Sequence, residues 1–249
     1  VAMKADISAL RGAPKKISAQ YEFPYLAHTP MEPLNCVVDL KGDSCTVWAG
    51  SQFQTTDHAA ITKTSGLKPE QVTLHTMMAG GGFGRRAVPT SDYIVEAVNV
   101  AKAWNAHGKG GPVKVVWSRE DDVRGGYYRP SYVHRAEIGL DAKGNILAWD
   151  HTIVGQSITS GTMFEAFMVK NGVDATTVEG MGAPYDLPLN LSVHSPKVNV
   201  PVLWWRSVGS THTAFVMETL IDEAAHIAGA DPVAYRRKLI GEKHKRHLA

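Results

Sequence analysis

The chain reads as strands and helices in irregular alternation. Residues 16–26 (KISAQYEFPYL) and 35–49 (NCVVDLKGDSCTVWA) have the β-branched and aromatic make-up of strands, the second broken at Gly42-Asp43, a hairpin turn pair. Residues 53–65 predict a short helix closed by Gly66. Gln71–Met78 has period two, with Val72, Leu74, Thr76 and Met78 on one face, and runs straight into Gly80-Gly81-Gly82-Phe83-Gly84-Arg85-Arg86. Pro89-Thr90-Ser91-Asp92 then starts a helix whose inner side is expected to carry Ile94, Val95, Ala97, Val98, Ala101 and Trp104. Pro112–Trp117 predicts a strand, Ser118–Asp121 a capping box and Gly125-Gly126 a stop. Tyr132–Leu140 and Ile146–Ile158 predict a long antiparallel pair joined across residues 141–144. Residues 160–188 give little periodic signal, and 189–200 again resemble a strand. Thr213–Ala228 predicts an amphipathic helix with Phe215, Leu220, Ile221, Ala224, Ala225 and Ala228 inside, and Asp231-Pro232 opens a last helix. Prominent hairpins without regular βαβ alternation indicate an α+β fold with mixed sheets and packed helices. The organisation expected is one unit over 1–249, or two closely joined subdomains of about 1–125 and 126–249.

Composition narrows the function classes without naming one. The 249 residues are 44% hydrophobic and 20% charged, which excludes disorder, collagen and coiled coil. A net charge of +2 gives no reason to expect nucleic acid or a membrane surface as partner. No apolar stretch nears the roughly 18–20 residues of a membrane span, and the first 16 residues hold no apolar run of the signal-peptide kind. Cys36 and Cys45 lack a companion pair of zinc type and do not fix the redox compartment. Val1 at the start and the basic, uncapped segment 238–249 at the end suggest a processed chain or a piece of a longer one.

The glycine loop at 80–84 is the strongest local signal. Glycines let the backbone take φ > 0 and approach a ligand, and a strand–loop–helix setting can aim N–H groups at an anion or oxo group. The loop also fits a plain tight turn holding a buried Phe. It is neither the Rossmann fingerprint, since Arg85 stands where the last Gly belongs, nor a P-loop. Arg85-Arg86 reads as an anion contact or an exposed basic loop; followed by Pro, Ser and Asp, the pair is no export signal. Trp204-Trp205-Arg206 reads as an anion clamp shielded by indoles, or as core packing with a snorkelling Arg. Glu223 and His226 have di-iron spacing without a second copy, so they read as a solvated face. The histidines, His151, His194 and His212 among them, lack zinc spacing, and no G-x-S-x-G elbow occurs. The acids of Arg119–Asp122 suit the first turn of a capped helix better than magnesium.

Taken together, these segments resemble the molybdenum hydroxylases of the xanthine oxidase and aldehyde oxidase superfamily. Ser51-Gln52, the G-G-G-F-G loop and Arg206–Gly209 occur in that family's order, with Gln52 lying 31 positions before Phe83. His28–Asn35 (HTPMEPLN), Trp117–Gly126 (WSREDDVRGG), Trp204–His212 (WWRSVGSTH), Glu218–His226 and Asp231–Arg237 resemble the isoquinoline 1-oxidoreductase β-subunit branch. The resemblance covers about residues 17–248.

It implies a molybdopterin cofactor, in dinucleotide form, in the parent protein. Gln52 would lie beside an oxo ligand of the metal. The backbone of Gly81, Gly82, Phe83 and Gly84 would face the cofactor, with the Phe83 ring walling the substrate site. Arg206 would reach the pterin side or a nearby anion, and none of these residues would ligate the metal directly. The implied chemistry is hydroxylation of a carbon beside a ring nitrogen, or oxidation of an aldehyde, with water as oxygen source and an iron–sulfur subunit taking the electrons. The family's catalytic Glu lies in a Gly-x-Gly-Glu segment that these residues lack, and Ala87 follows Arg86 where purine-oxidising relatives carry a substrate-binding Glu. The resemblance therefore implies the first molybdenum-binding portion of a larger subunit, without a catalytic residue or its own cofactor, with the rest of that subunit, an iron–sulfur subunit and a small-molecule substrate as partners. The setting implied is periplasmic by family habit, otherwise cytoplasmic. A non-catalytic cofactor- or anion-binding or assembly module using the 80–84 loop is the alternative. A half-site of this kind should expose an apolar or cofactor-facing patch near Phe83, Trp204 and Trp205.

Overall fold

The computed structural model describes residues 1–248; Ala249, the end of the basic tail singled out above, lies outside the described residues. In chain order the first elements are β1 (Lys15–Phe23), β2 (Leu26–Ala27), β3 (Asn35–Leu40), β4 (Cys45–Ala49), α1 (Gln54–Ser65) and β5 (Val72–Thr76). Next come α2 (Asp92–Ala106), β6 (Val113–Val116), α3 (Arg119–Arg124), β7 (Tyr128–Arg129), β8 (Tyr132–Leu140) and β9 (Ile146–Gly155). The last are α4 (Glu165–Met168), β10 (Val169–Lys170), β11 (Val173–Asp174), β12 (Leu189–His194), α5 (Ser210–Ala228) and α6 (Pro232–Leu239). Short 3₁₀ turns join several of them, so the architecture is mixed helix and sheet, as expected.

The chain divides into two compact units, one of Val1–Leu26, Pro130–Val202 and Ser207–Ala249, the other of Ala27–Arg129 and Leu203–Arg206. The expectation was one unit over 1–249 or two closely joined subdomains of about 1–125 and 126–249; the chain passes between the two units four times. The cause is non-local pairing: β1, at the N-terminus, lies antiparallel to β8.

The unit containing residues 27–129 carries the glycine loop. Its sheet has the order β5-β4-β3-β6, with the β3–β4 hairpin turning at Gly42-Asp43 and β5 parallel to β4. The β4–α1–β5 step is therefore one βαβ unit. Gly66 ends α1 in the left-handed conformation. The apolar faces of α1 and α2 pack on one side of the sheet through Ile61, Tyr93, Ile94, Ala97 and Val98 against Cys36, Val38, Val47 and Ala49. Trp104, expected inside, is 45% exposed. The inward stripe of α2 ends at Ala101, and the indole instead donates to Gly110 O beside Lys109. The alternation along β5 also fades outward, and Thr76 and Met78 are exposed rather than buried with Val72. Ser118 and Asp121 form the expected capping box. Both cysteines are free and buried, their thiols pushed up to about 12 at Cys36 and about 11 at Cys45 by desolvation, which makes them inert.

The other unit is a sheet of order β1-β8-β9-β12 with α5 laid on it. Trp149, Ile138, Leu140 and Leu191 meet Val216, Leu220, Ile221 and Ala224 in its core. Gly144 closes the β8–β9 hairpin at φ +85° with Ala228 packed against its Cα, leaving no room for a side chain. Phe215, expected on the inner side of α5, is 59% exposed and meets Tyr21 and Phe23 edge-on. The strand expected over 189–200 stops at His194, because Pro196 cannot continue the ladder.

Candidate functional site

Two turns and the segment Leu203–Arg206 converge in the unit that carries the glycine loop. After β4 the chain turns at Ser51-Gln52-Phe53 into α1. After β5, Met77 N–H still reaches Ala49 O at 2.9 Å before the chain departs into the loop. The two turns are tied by Gln52 N–H, which donates to Arg86 O at 3.0 Å. Beneath them lies Asp57, buried, whose carboxylate accepts from Ser51 Oγ at 2.5 Å and Ser91 Oγ at 2.6 Å. Desolvation raises the Asp57 pKa despite these two bonds.

The loop needs its glycines. Gly81 and Gly84 sit at φ +104° and +103°, and Phe83 at +54°, left-handed backbone that a bulky residue adopts only under constraint. A Cβ on Gly82 would lie 2.6 Å from Gln52 Oε1, and one on Gly84 would lie 2.8 Å from Trp204 O. The constraint on Phe83 is visible, since its ring stacks on Trp205 at 5.5 Å and 7°. His28 stacks on Trp205 as well and reaches Trp204 O through Nε2 at 2.9 Å, and burial lowers its pKa.

Of the residues singled out in the sequence, Gln52, Gly81, Gly82, Phe83 and Gly84 therefore meet in one place. Phe83, Trp204 and Trp205 are adjacent and only half-buried. Arg206 is exposed and forms no ion pair among the described residues. The two open readings of Arg85-Arg86 are both corrected, because both side chains are 1% exposed. Arg85 holds Asp92 through two bonds of 3.0 and 2.6 Å and lies over Trp117 and Tyr127. Arg86 donates to Gly81 O and pairs with Glu32. Neither is a free anion contact nor an exposed loop charge. Glu32, Asp57 and the internal role of Arg86 escaped the sequence reading; Glu32 lies in the H-T-P-M-E-P-L-N segment, which served there only for recognition.

Beside the loop, on the open face of the sheet, a groove of about 450 Å³ is lined by Val37, Trp48, Met77, Met78 and Glu32. It does not include Gln52 or Phe83. Among the described residues no group of three or more His, Cys, Asp or Glu side chains is placed to hold a metal ion, and no helix is long and apolar enough to cross a membrane.

The family described as the molybdopterin cofactor-binding domain matches residues 2–240. This chain belongs to that family. Isoquinoline 1-oxidoreductase subunit beta of Brevundimonas diminuta is 32% identical to this molybdopterin cofactor-binding domain over 210 residues, 83% of this chain and 26% of the relative. The aldehyde oxidoreductase molybdenum-binding subunit of Escherichia coli K12 is 28% identical over 231 residues, 92% of this chain and 29% of the relative. The crystal structure of quinoline 2-oxidoreductase from Pseudomonas putida 86 superposes with a TM-score of 0.75 at 19% identity, covering 95% of this chain and 30% of that one. The chain thus spans between a quarter and a third of the length of these relatives.

The residues present fit a molybdopterin group. Among the described residues the N–H groups of Gly81, Gly82, Phe83 and Gly84 donate to no protein acceptor, although Gly82 is buried. A row of unused donors in a cradle that a Cβ would fill suits a ligand rich in acceptor oxygens.

Proposed function

We propose that this domain forms one wall of the catalytic site of a molybdopterin-dependent oxidoreductase that hydroxylates a carbon of an N-heteroaromatic ring, of isoquinoline type, or oxidises an aldehyde. The observation that carries the reading is the contact of Gln52 with Gly82 beside the Phe83–Trp205 stack. When bound, the cofactor, in its dinucleotide form, supplies a metal centre that accepts two electrons while water provides the oxygen. The chain's own residues do the positioning. Gln52 offers an amide that can both donate and accept, and its exposed head is free to meet an oxo group. The amides of 81–84 offer donors that cost no reorganisation when charge develops opposite them. The flat Phe83–Trp205 pair favours planar aromatic substrates along one side. Arg206, exposed just past this pair, would reach the pterin side.

The carboxylate beside the loop is not free to act as the general base. The Glu32 carboxyl is occupied by Gly80, Asn35 and Arg86, and its pKa is lowered, first by the Gly80 N–H bond. The base therefore comes from elsewhere in the full-length protein, an iron–sulfur subunit carries the electrons away, and the chain by itself is inactive. The setting proposed is periplasmic by family habit, otherwise cytoplasmic. The reading is tested by incubating the full-length protein and its partner subunits with isoquinoline or benzaldehyde and a redox dye as terminal electron acceptor in ¹⁸O-water. Product carrying one solvent-derived ¹⁸O atom is expected; product without label, or no turnover by molybdenum-loaded protein on any aldehyde or N-heterocycle, contradicts it.

A further inference from the structure

Three successive carbonyls of the glycine loop are already taken by the protein itself. Glu32 N–H donates to Gly80 O at 3.1 Å, Arg86 Nε to Gly81 O at 2.8 Å, and Arg85 N–H to Gly82 O at 2.9 Å. A trans peptide unit points its C=O and N–H in opposite directions. The N–H groups of Gly81, Gly82 and Phe83 belong to those same three units, so each points away from its unit's anchor.

Two of the three anchors come from one ion pair. Arg86 Nη2 lies 3.4 Å from Glu32 Oε2 and also donates to Glu32 O at 3.2 Å. Glu32 Oε2 in turn accepts Gly80 N–H at 2.5 Å. The approach is close: a Cβ on Gly80 would stand 2.7 Å from Glu32 Cβ. The Arg86 guanidinium is buried, where such bonds are strongest and an unpaired partner is costly. Its own backbone carbonyl accepts the Gln52 N–H. One residue thus registers both Gln52 and the loop.

We propose that Glu32 and Arg86 are positioning residues that hold the Gly80 and Gly81 carbonyls and thereby present the Gly81 and Gly82 N–H groups to acceptor oxygens of the cofactor. The proposal rests on the molybdopterin reading above. Arg85 provides the control, because it is equally buried and ion-paired but its side chain binds Asp92 rather than a loop carbonyl.

The test uses the full-length protein with its partner subunits, as wild type, Arg86→Gln, Arg86→Lys and Arg85→Gln. Three quantities are read: molybdenum per polypeptide, melting temperature, and hydrogen exchange of a peptide covering residues 79–84. Both glutamine variants lower the melting temperature. Only Arg86→Gln speeds exchange at 79–84, and only it lowers molybdenum content, by about tenfold, as expected for losing charge-assisted bonds. Arg86→Lys falls between, since one ammonium cannot span both the Gly81 and Glu32 carbonyls. Where Arg86→Gln fails to accumulate, Glu32→Ala, at a half-exposed side chain, keeps the backbone N–H on Gly80 O but removes the carboxylate that holds Gly80 N–H and Arg86. It gives a smaller change in the same direction in exchange and molybdenum, and wild-type values for both overturn the proposal.

Equal effects of Arg85→Gln and Arg86→Gln on exchange and molybdenum would reduce Arg86 to a structural residue and overturn the proposal. So would wild-type exchange and loading in Arg86→Gln. Absence of molybdenum from the wild type would instead strike at the proposed function. The clamp is then judged by exchange alone, where parity between Arg86→Gln and Arg85→Gln overturns it and faster exchange in Arg86→Gln alone supports it.

Discussion

Gly82 and Gly84 sit two positions apart in one loop, yet they are glycine for different reasons. A Cβ at Gly82 crowds only the far end of Gln52, which can swing aside, meets Arg86 Cδ at an ordinary 3.5 Å, and sits on backbone that is not left-handed. Gly82→Ala is therefore expected to change stability by less than about 1 kcal/mol while displacing the Gln52 amide and lowering molybdenum content of the full-length protein. At Gly84 a Cβ meets the Trp204 carbonyl at 2.8 Å with φ at +103°. Gly84→Ala should cost about 1–3 kcal/mol, seen as an earlier urea midpoint. Equal stability losses at the two positions would contradict this division. Little of it was legible in the chain. Glycine spacing marked the loop, and the resemblance alone singled out Gln52 as its neighbour. The partner of Arg86 lies 54 positions away, so no local pattern could show that the charge is spent internally.

At the scale of elements, periodicity found the β3–β4 hairpin, the β8–β9 pair and the two long helices, because each depends on neighbours in sequence. It failed at Trp104, where the following turn at Gly110 takes the indole, and at Phe215, where the distant Tyr21 and Phe23 take the ring. It also missed what β8, β9 and α5 bring together. Trp149 Nε1 donates to His151 Nδ1 at 3.1 Å, His151 Nε2 meets His134 Nδ1 at 2.9 Å, and His134 Nε2 meets His212 Nδ1 at 2.8 Å. An indole N–H can only donate, so with neutral rings each histidine in turn carries its proton on Nε2. All three are buried, and His212 stacks on Tyr132 at 3.7 Å. Desolvation pushes His134 down to about 2 and His151 down to about 4. Their folded pKa values lie below the unfolded value near 6.5, so the unfolded chain binds more protons as pH falls. Stability is thus full above about pH 6.5 and declines below it, by about 1.4 kcal/mol per pH unit for each histidine that stays neutral. For His151 the decline runs to about pH 4, and for His134 to about pH 2. Urea midpoints at pH 7, 6 and 5 should fall in step; a flat series would show that these rings take up protons without cost in the folded state.

For the whole molecule, local pattern gave the fold class but not the plan. Two compact units emerge because β1 pairs with β8 and residues 203–206 join the unit of residues 27–129, links that no composition shift announces. The second of these links matters for the proposed site, since it brings Trp204 and Trp205 to the glycine loop. The unit so completed offers unused amides, an exposed glutamine head and a stacked aromatic pair, and the Glu32 carboxylate beside the loop is already held by Gly80, Asn35 and Arg86. The proposed site is that of the cofactor named by the chain's family. The most direct measurement is elemental analysis of the full-length protein purified from a molybdenum-replete host. Stoichiometric molybdenum, lost on Gly82→Ala with cooperative unfolding retained, is the expected result. Background molybdenum in a wild-type protein that unfolds cooperatively would contradict the account.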